Sequence, residues 1–189
     1  MEELFSHVAR KIGFDFELKP CQIECLHAVS EKKDLLAILP TGYGKSAIFQ
    51  LASYVIKEKY NLDKSVCLIL TPLNSIMMDQ INSLAKKGIN ACFIDYQCLS
   101  AKTVHTVTND DEYVEEDDEK HETVVSVPLD VVAEGKYPLV YAHPEALLST
   151  KQGETLIQAF ERNGALVCIA VDEAHMILEW YFSFQMSTS

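Results

Sequence analysis

Two short clusters in this 189-residue chain hold the residue types that polyphosphate chemistry needs. The first lies in LAILPTGYGKSAIFQ, residues 36–50. An apolar run enters a turn of Thr41, Gly42, Tyr43 and Gly44, and Lys45 and Ser46 then open an apolar-rich segment. Strand, glycine-rich turn and helix in that order make a phosphate loop. Gly42 and Gly44 allow a compact turn whose backbone N–H groups point inward. Lys45 then offers a point charge to β and γ phosphates and Ser46 a hydroxyl to Mg²⁺, while the helix presents its positive end. The full G-x-x-x-x-G-K-[ST] spacing is not met, because Leu39 stands at the first glycine position. A glycine-rich surface turn is the competing reading.

The second cluster closes VCIAVDEAH, residues 167–175. Binding a nucleotide needs only the loop, whereas hydrolysis also needs an acid to hold the metal and a base for water. Asp172 suits the first task and Glu173 the second. Taken alone, the same acids could simply cap a helix starting near Ala174, since acids suit helix N-termini. Paired with Lys45 and Ser46, they point to catalysis.

These residues need a scaffold, and the apolar pattern supplies one. Helices are expected at 22–32, 46–60, 73–88 and 153–164, with a short one from Pro144. Strands are expected at 34–39, 65–72, 89–95, 137–144 and 165–175. Apolar strands alternating with helices imply a mostly parallel sheet covered on both faces. In such sheets ligands gather beyond the carboxyl ends of the strands. The clusters TGYGKS, TP, HPE and DEAH all fall at those ends.

The formal net charge of −12 disfavours nucleic acid, but it is unevenly placed. Residues 109–122 hold nine acids against one lysine, a local −8, which leaves −4 for the rest. The run reads as a solvated, self-repelling insertion; an autoinhibitory strip or a decoy for a basic partner is the functional alternative. The six cysteines, Cys21, Cys25, Cys67, Cys92, Cys98 and Cys168, contain no CxxC pair, so reduced thiols are expected rather than a zinc site. No apolar run approaches a membrane span of roughly 18 residues, and the first residues lack a signal-peptide core. An intracellular protein is the default. His7, His27, His105 and His121 have no catalytic constellation around them, whereas His143 and His175 lie within the HPE and DEAH clusters.

At this point the motifs resemble those of RecQ-type DNA helicases of the DExH group. FDFELKPCQ is similar to that family's upstream motif, which implies that Gln22 reads the adenine base. LPTGYGKS resembles MPTGGGKS, TPLNSIMMDQ resembles SPLISLMKDQ, YAHPEAL resembles YxxPExL, and DEAHMILEW resembles DEAHCISEW. Lys19 replaces an arginine of the family, and Tyr43 its middle glycine. The resemblance runs from about residue 12 to 180. It implies a RecA-like P-loop NTPase lobe over 1–180, with an acidic disordered insertion near 108–123 and a divergent tail at 181–189. ATP and Mg²⁺ are implied as cofactors: Gln22, Thr41, Gly42, Tyr43, Gly44, Lys45 and Ser46 for the nucleotide, Ser46 and Asp172 for the metal, and Lys45, Asp172 and Glu173 for catalysis. DNA is the implied partner, with contacts near Thr71, Pro72, Asn74, His143 and Pro144, and a nuclear location follows from the family alone.

After Trp180 the text WYFSFQMSTS departs from the family's WGHDFR. A lobe incomplete at its C-terminal end is therefore expected, short of the second lobe that carries the arginine for phosphoryl transfer. Two other functions stay open: a non-catalytic nucleotide-binding regulator, and the lobe of a DEAD-box-type RNA helicase, which LKPCQ would also suit.

Overall fold

The computed structural model describes residues 1–72, 74–95, 100–107 and 121–176, with the backbone alone at 95, 105–107, 121–123 and 176. In chain order the elements are α1 (Glu2–Lys11), α2 (Pro20–Ser30), α3 (Lys45–Tyr60), β1 (Val66–Leu70), α4 (Asn74–Lys86), β2 (Ala91–Asp95), β3 (Ser100–Val107), β4 (His121–Val127), α5 (Leu129–Ala133), β5 (Leu139–Ala142), α6 (Pro144–Leu148), α7 (Lys151–Arg162) and β6 (Leu166–Val171). A single 3-10 turn, Ala174–Met176, follows β6. None of the described helices is long and apolar enough to cross a membrane.

The strands form one sheet in the order β4-β3-β2-β5-β1-β6. β2, β5, β1 and β6 are parallel, and β3 and β4 add an antiparallel hairpin at one edge. VCLIL and LVYA are buried along their whole length, as continuous apolar runs must be when helices cover both faces. One face carries α1 to α4, with Phe5, Leu26, Leu51, Met77 and Ile69 packed together. The other carries α5 to α7, where Val132, Leu147, Leu156 and Phe160 meet Leu68 and Val140. The alternation implied this mostly parallel, two-sided sheet, and the family resemblance implied the RecA-like α/β lobe that it forms.

Helix starts follow local chemistry. Pro20 sits at the first turn of α2, and Gln22 completes a capping box by accepting from the Lys19 N–H at 2.8 Å. Thr150 caps α7 by accepting from the Gly153 N–H at 3.0 Å.

The strand expected at 34–39 does not form. The segment is extended but unpaired, with Leu36 and Ile38 exposed by 74% and 86%. A strand satisfies its backbone only against a neighbour, and among the described residues no strand lies beside this one. Its alternate residues Ala37 and Leu39 still pack on the α1–α4 face, so the apolar period is that of a strand without a partner. α1, α5 and the β3–β4 hairpin were not foreseen. The acidic insertion and the tail lie outside the described residues, except that 121–123 belong to β4 and 108–120 connect the hairpin.

Candidate nucleotide site

The sheet order sets the site. β5, β1 and β6 are neighbours, and their last residues Ala142, Leu70 and Val171 are in register. The next residue of each strand therefore emerges along one edge: His143, Thr71 and Asp172. The Thr71 N–H donates to Ala142 O at 3.1 Å and the Asp172 N–H to Leu70 O at 2.9 Å, which extends the ladder to the motif itself.

The glycine-rich loop enters this edge from the unpaired segment. Its turn is closed by the Tyr43 N–H donating to Pro40 O at 3.2 Å. Gly42 and Gly44 both adopt φ +78°, in the left-handed region that favours glycine. Gly44 is also the N-cap of α3. A Cβ there would stand 2.5 Å from Gln22 Nε2, so glycine is required twice over. Lys45 opens α3, half-buried, with Nζ 3.4 Å from Leu39 O. Ser46 follows, half-buried, while Thr41, Gly42 and Tyr43 are exposed. Gln22, expected to face a base, is only 2% exposed, with its amide turned onto the loop.

Asp172 and Glu173 occupy the turn after β6. Asp172 is half-buried, and loss of water pushes its carboxyl pKa up, helped by the neighbouring Glu173 charge. The Glu173 N–H, the Lys45 ammonium and the Gln80 side-chain amide pull the other way. The Lys45 charge is thus felt at Asp172, and the structure brings the two sequence clusters together. Glu173 adopts φ +54°, which is uncommon for a residue with a side chain and is the kind of backbone strain that collects at functional sites. Its carboxylate lies 3.3 Å from His175 Nδ1.

Three residues of this site escaped the sequence reading. Gln50 on α3 donates through Nε2 to Tyr141 Oη at 3.2 Å and to Gln80 Oε1 at 3.4 Å. Gln80 on α4 in turn reaches Asp172. A polar chain thus runs from β5 through two helices to the metal-binding candidate. Burial pushes the Tyr141 hydroxyl pKa well up, so it stays protonated. The available signal was a glutamine on an apolar helix face, since a buried polar residue is the informative exception.

The expected nucleic-acid residues divide. Asn74 is exposed and His143 half-buried, with Nδ1 3.3 Å from Glu145 Oε2. Thr71 and Pro144 are buried, and the Thr71 hydroxyl has no hydrogen-bond partner among the described residues.

The sheet and its covering helices define a RecA-like α/β lobe, with the glycine-rich loop and the acid pair at one edge. The family model for DEAD/DEAH box helicases matches residues 19–189, and the chain belongs to that family. Among curated relatives, the ATP-dependent helicase SGS1 of Saccharomyces cerevisiae is 27% identical over 88% of this chain and 10% of its own length. The ATP-dependent DNA helicase RecQ of Bacillus subtilis is 27% identical over 96% of this chain and 25% of its own. A putative ATP-dependent RNA helicase, R290 of Acanthamoeba polyphaga mimivirus, is 30% identical over 92% of this chain and 25% of its own. The chain thus spans a tenth to a quarter of these relatives.

Proposed function

We propose that this chain is the ATP-binding lobe of a RecQ-like 3′-to-5′ DNA helicase, and that it binds Mg-ATP and nucleic acid. The observation that carries the reading is that the glycine-rich turn of Gly42 and Gly44 leads into α3 at Lys45, while Asp172 emerges in register beside Thr71 and His143, near enough for the Lys45 charge to act on it.

The residues present fit the cofactors. Among the described residues, the N–H groups of Gly44, Lys45 and Ser46 meet no protein acceptor, and they sit at the positive end of a 16-residue helix. Lys45 would balance β and γ phosphate charge. The Ser46 hydroxyl and the Asp172 carboxylate would hold Mg²⁺, a cation that keeps several waters and needs few protein oxygens. When bound, the metal neutralises charge on the transferring phosphoryl group. Glu173 would orient the attacking water and accept its proton, with His175 beside it. Gln80 steadies Asp172, and Gln50 and Tyr141 steady Gln80.

Unwinding needs a second lobe that moves against this one, supplied by further sequence or by a partner chain. Such a lobe would also bring the arginine that stabilises the phosphoryl group, worth about 10³ to 10⁵ in rate. Single-stranded DNA or a duplex junction is the proposed partner, bound weakly by this lobe alone through few phosphate contacts and so strongly salt-dependent. A nuclear location rests on the same reading. The relative R290, named as a putative RNA helicase, keeps one alternative open. Turnover measured with single-stranded DNA and with RNA separates the two: stronger stimulation by DNA supports the proposal, and stimulation by RNA alone contradicts it. Mg-ATP binding with no turnover, even when a second lobe is supplied, would favour a non-catalytic regulator.

A further inference from the structure

The described cysteines are all reduced, and the sheet brings two of them together from distant parts of the sequence. Cys67 of β1 and Cys168 of β6 are partners in register on neighbouring parallel strands, and both pack on the α1–α4 face. Cα atoms paired across neighbouring strands lie about 5 Å apart, within the roughly 4.4–6.8 Å that a disulfide spans. The register also shifts at this pair. Val66 meets Leu166 and Cys67 meets Cys168, so Val167 is one residue extra on β6. Such a bulge bends its strand and re-aims a side chain. The two thiols meet, the Cys67 S–H donating a hydrogen bond to the Cys168 sulfur. Cys92 on β2 packs on the opposite, α5–α7 face, and Cys21 and Cys25 lie one turn apart on α2.

The two sulfurs differ in access and in acidity. Cys67 is fully buried, whereas Cys168 is half-buried on the last strand described. The hydrogen bond from Cys67 lowers the Cys168 pKa against the opposing pull of burial. The same bond, together with complete burial, pushes the Cys67 thiol up. The more reachable sulfur is therefore the one that ionises first, and a thiolate is the nucleophile in sulfur chemistry.

We propose that Cys67 and Cys168 are a disulfide-forming pair that responds to hydroperoxides and ties the edge strand β6 to the interior strand β1. The Cys168 thiolate attacks one oxygen of hydrogen peroxide: an S–O bond forms, the O–O bond breaks and hydroxide leaves, so that Cys168 becomes a sulfenic acid. The Cys67 sulfur then attacks the Cys168 sulfur. The S–S bond forms, the S–O bond breaks, and the departing hydroxide takes the Cys67 proton as water. Two electrons pass from the sulfur pair to the peroxide. Asp172 directly follows the last residue of β6, so the tie is made on the strand that carries this acid.

The test treats the folded, nucleotide-free chain with equimolar hydrogen peroxide, maps its peptides without reduction, and reads amide exchange before and after. A linked peptide joining Cys67 to Cys168, a fall from six free thiols to four, slower exchange along β6 and full reversal by a dithiol reductant are expected. A bridge through any other cysteine, a bridge that forms only in urea, or Cys168 oxidised to sulfinic acid with Cys67 still free would overturn the pairing. Unchanged exchange along β6 in the bridged protein would overturn the tie. Cys67→Ala, checked by melting for the same fold, separates the two steps: sulfenic acid should accumulate at Cys168 and be trapped by dimedone, while Cys67 in Cys168→Ser should stay unlabelled. Dimedone on Cys67 in Cys168→Ser would contradict Cys168 as the attacking sulfur.

Discussion

β1 and β6 are neighbours of nearly the same composition, VCLIL beside LVCIAV, yet they live differently. Leu68 of β1 is 2% exposed, while Ile169, its partner in register on the same face, is 55% exposed. β1 has a strand on each side and helices above and below; β6 is the last strand described. The interior strand holds the fold, and the edge strand delivers Asp172 and Glu173 to the site. An apolar run states what a strand can tolerate around it, and only its neighbours decide what it buries.

Substitutions should therefore separate along this line. The largest effect is chemical: Glu173→Gln lowers hydrolysis by about 10² to 10⁴, the usual worth of a positioned acid–base group, with the melting temperature and Mg-ATP affinity unchanged. A matching loss of stability in the variant would erase the division of labour. Next comes the interior strand. Leu68→Ala costs about 2–5 kcal/mol in urea unfolding, as buried leucines do, whereas Ile169→Ala costs under about 1 kcal/mol because most of it is already wet. Equal costs would show that Ile169 is covered in solution.

The smallest effect concerns pH. Burial and the Glu173 charge raise the folded-state pKa of Asp172. The unfolded chain then loses this proton at lower pH than the folded one, so ionisation opposes folding as pH rises through the carboxylate range. Asp172→Asn should be the more stable protein above that range and equal to the unsubstituted chain below it, while losing Mg²⁺-dependent nucleotide binding. Denaturant midpoints across the acid range check the sign; an Asn variant less stable at neutral pH would reverse it.

The same contrast explains how much of the molecule was legible in its sequence. The positions of Lys45-Ser46 at a helix start and of Asp172-Glu173 after a strand were legible because each cluster follows its own element directly in sequence. The parallel sheet was legible because β1, β2, β5 and β6 carry the apolar runs that a two-sided burial requires. Residues 34–39 carry the same run and form no strand, because pairing depends on residues elsewhere in the chain. The β3–β4 hairpin hid beside the acidic run, and α5, five residues long, was too short to stand out by period, whereas α1 carried a readable stripe of Phe5, Val8 and Ala9 that was overlooked. Gln50, Gln80 and Tyr141 escaped because their significance lies in one another, across three elements distant in sequence.

The most direct test of the site is a titration of the chain and of Lys45→Ala with a fluorescent ATP analogue in Mg²⁺, both variants checked for the same fold by melting. Removing a charge-assisted contact to phosphate should weaken binding by about 10- to 100-fold, and omitting Mg²⁺ should weaken the unsubstituted chain too. Equal affinity in the two proteins, or no binding by either, would contradict the reading of this strand end as a nucleotide site.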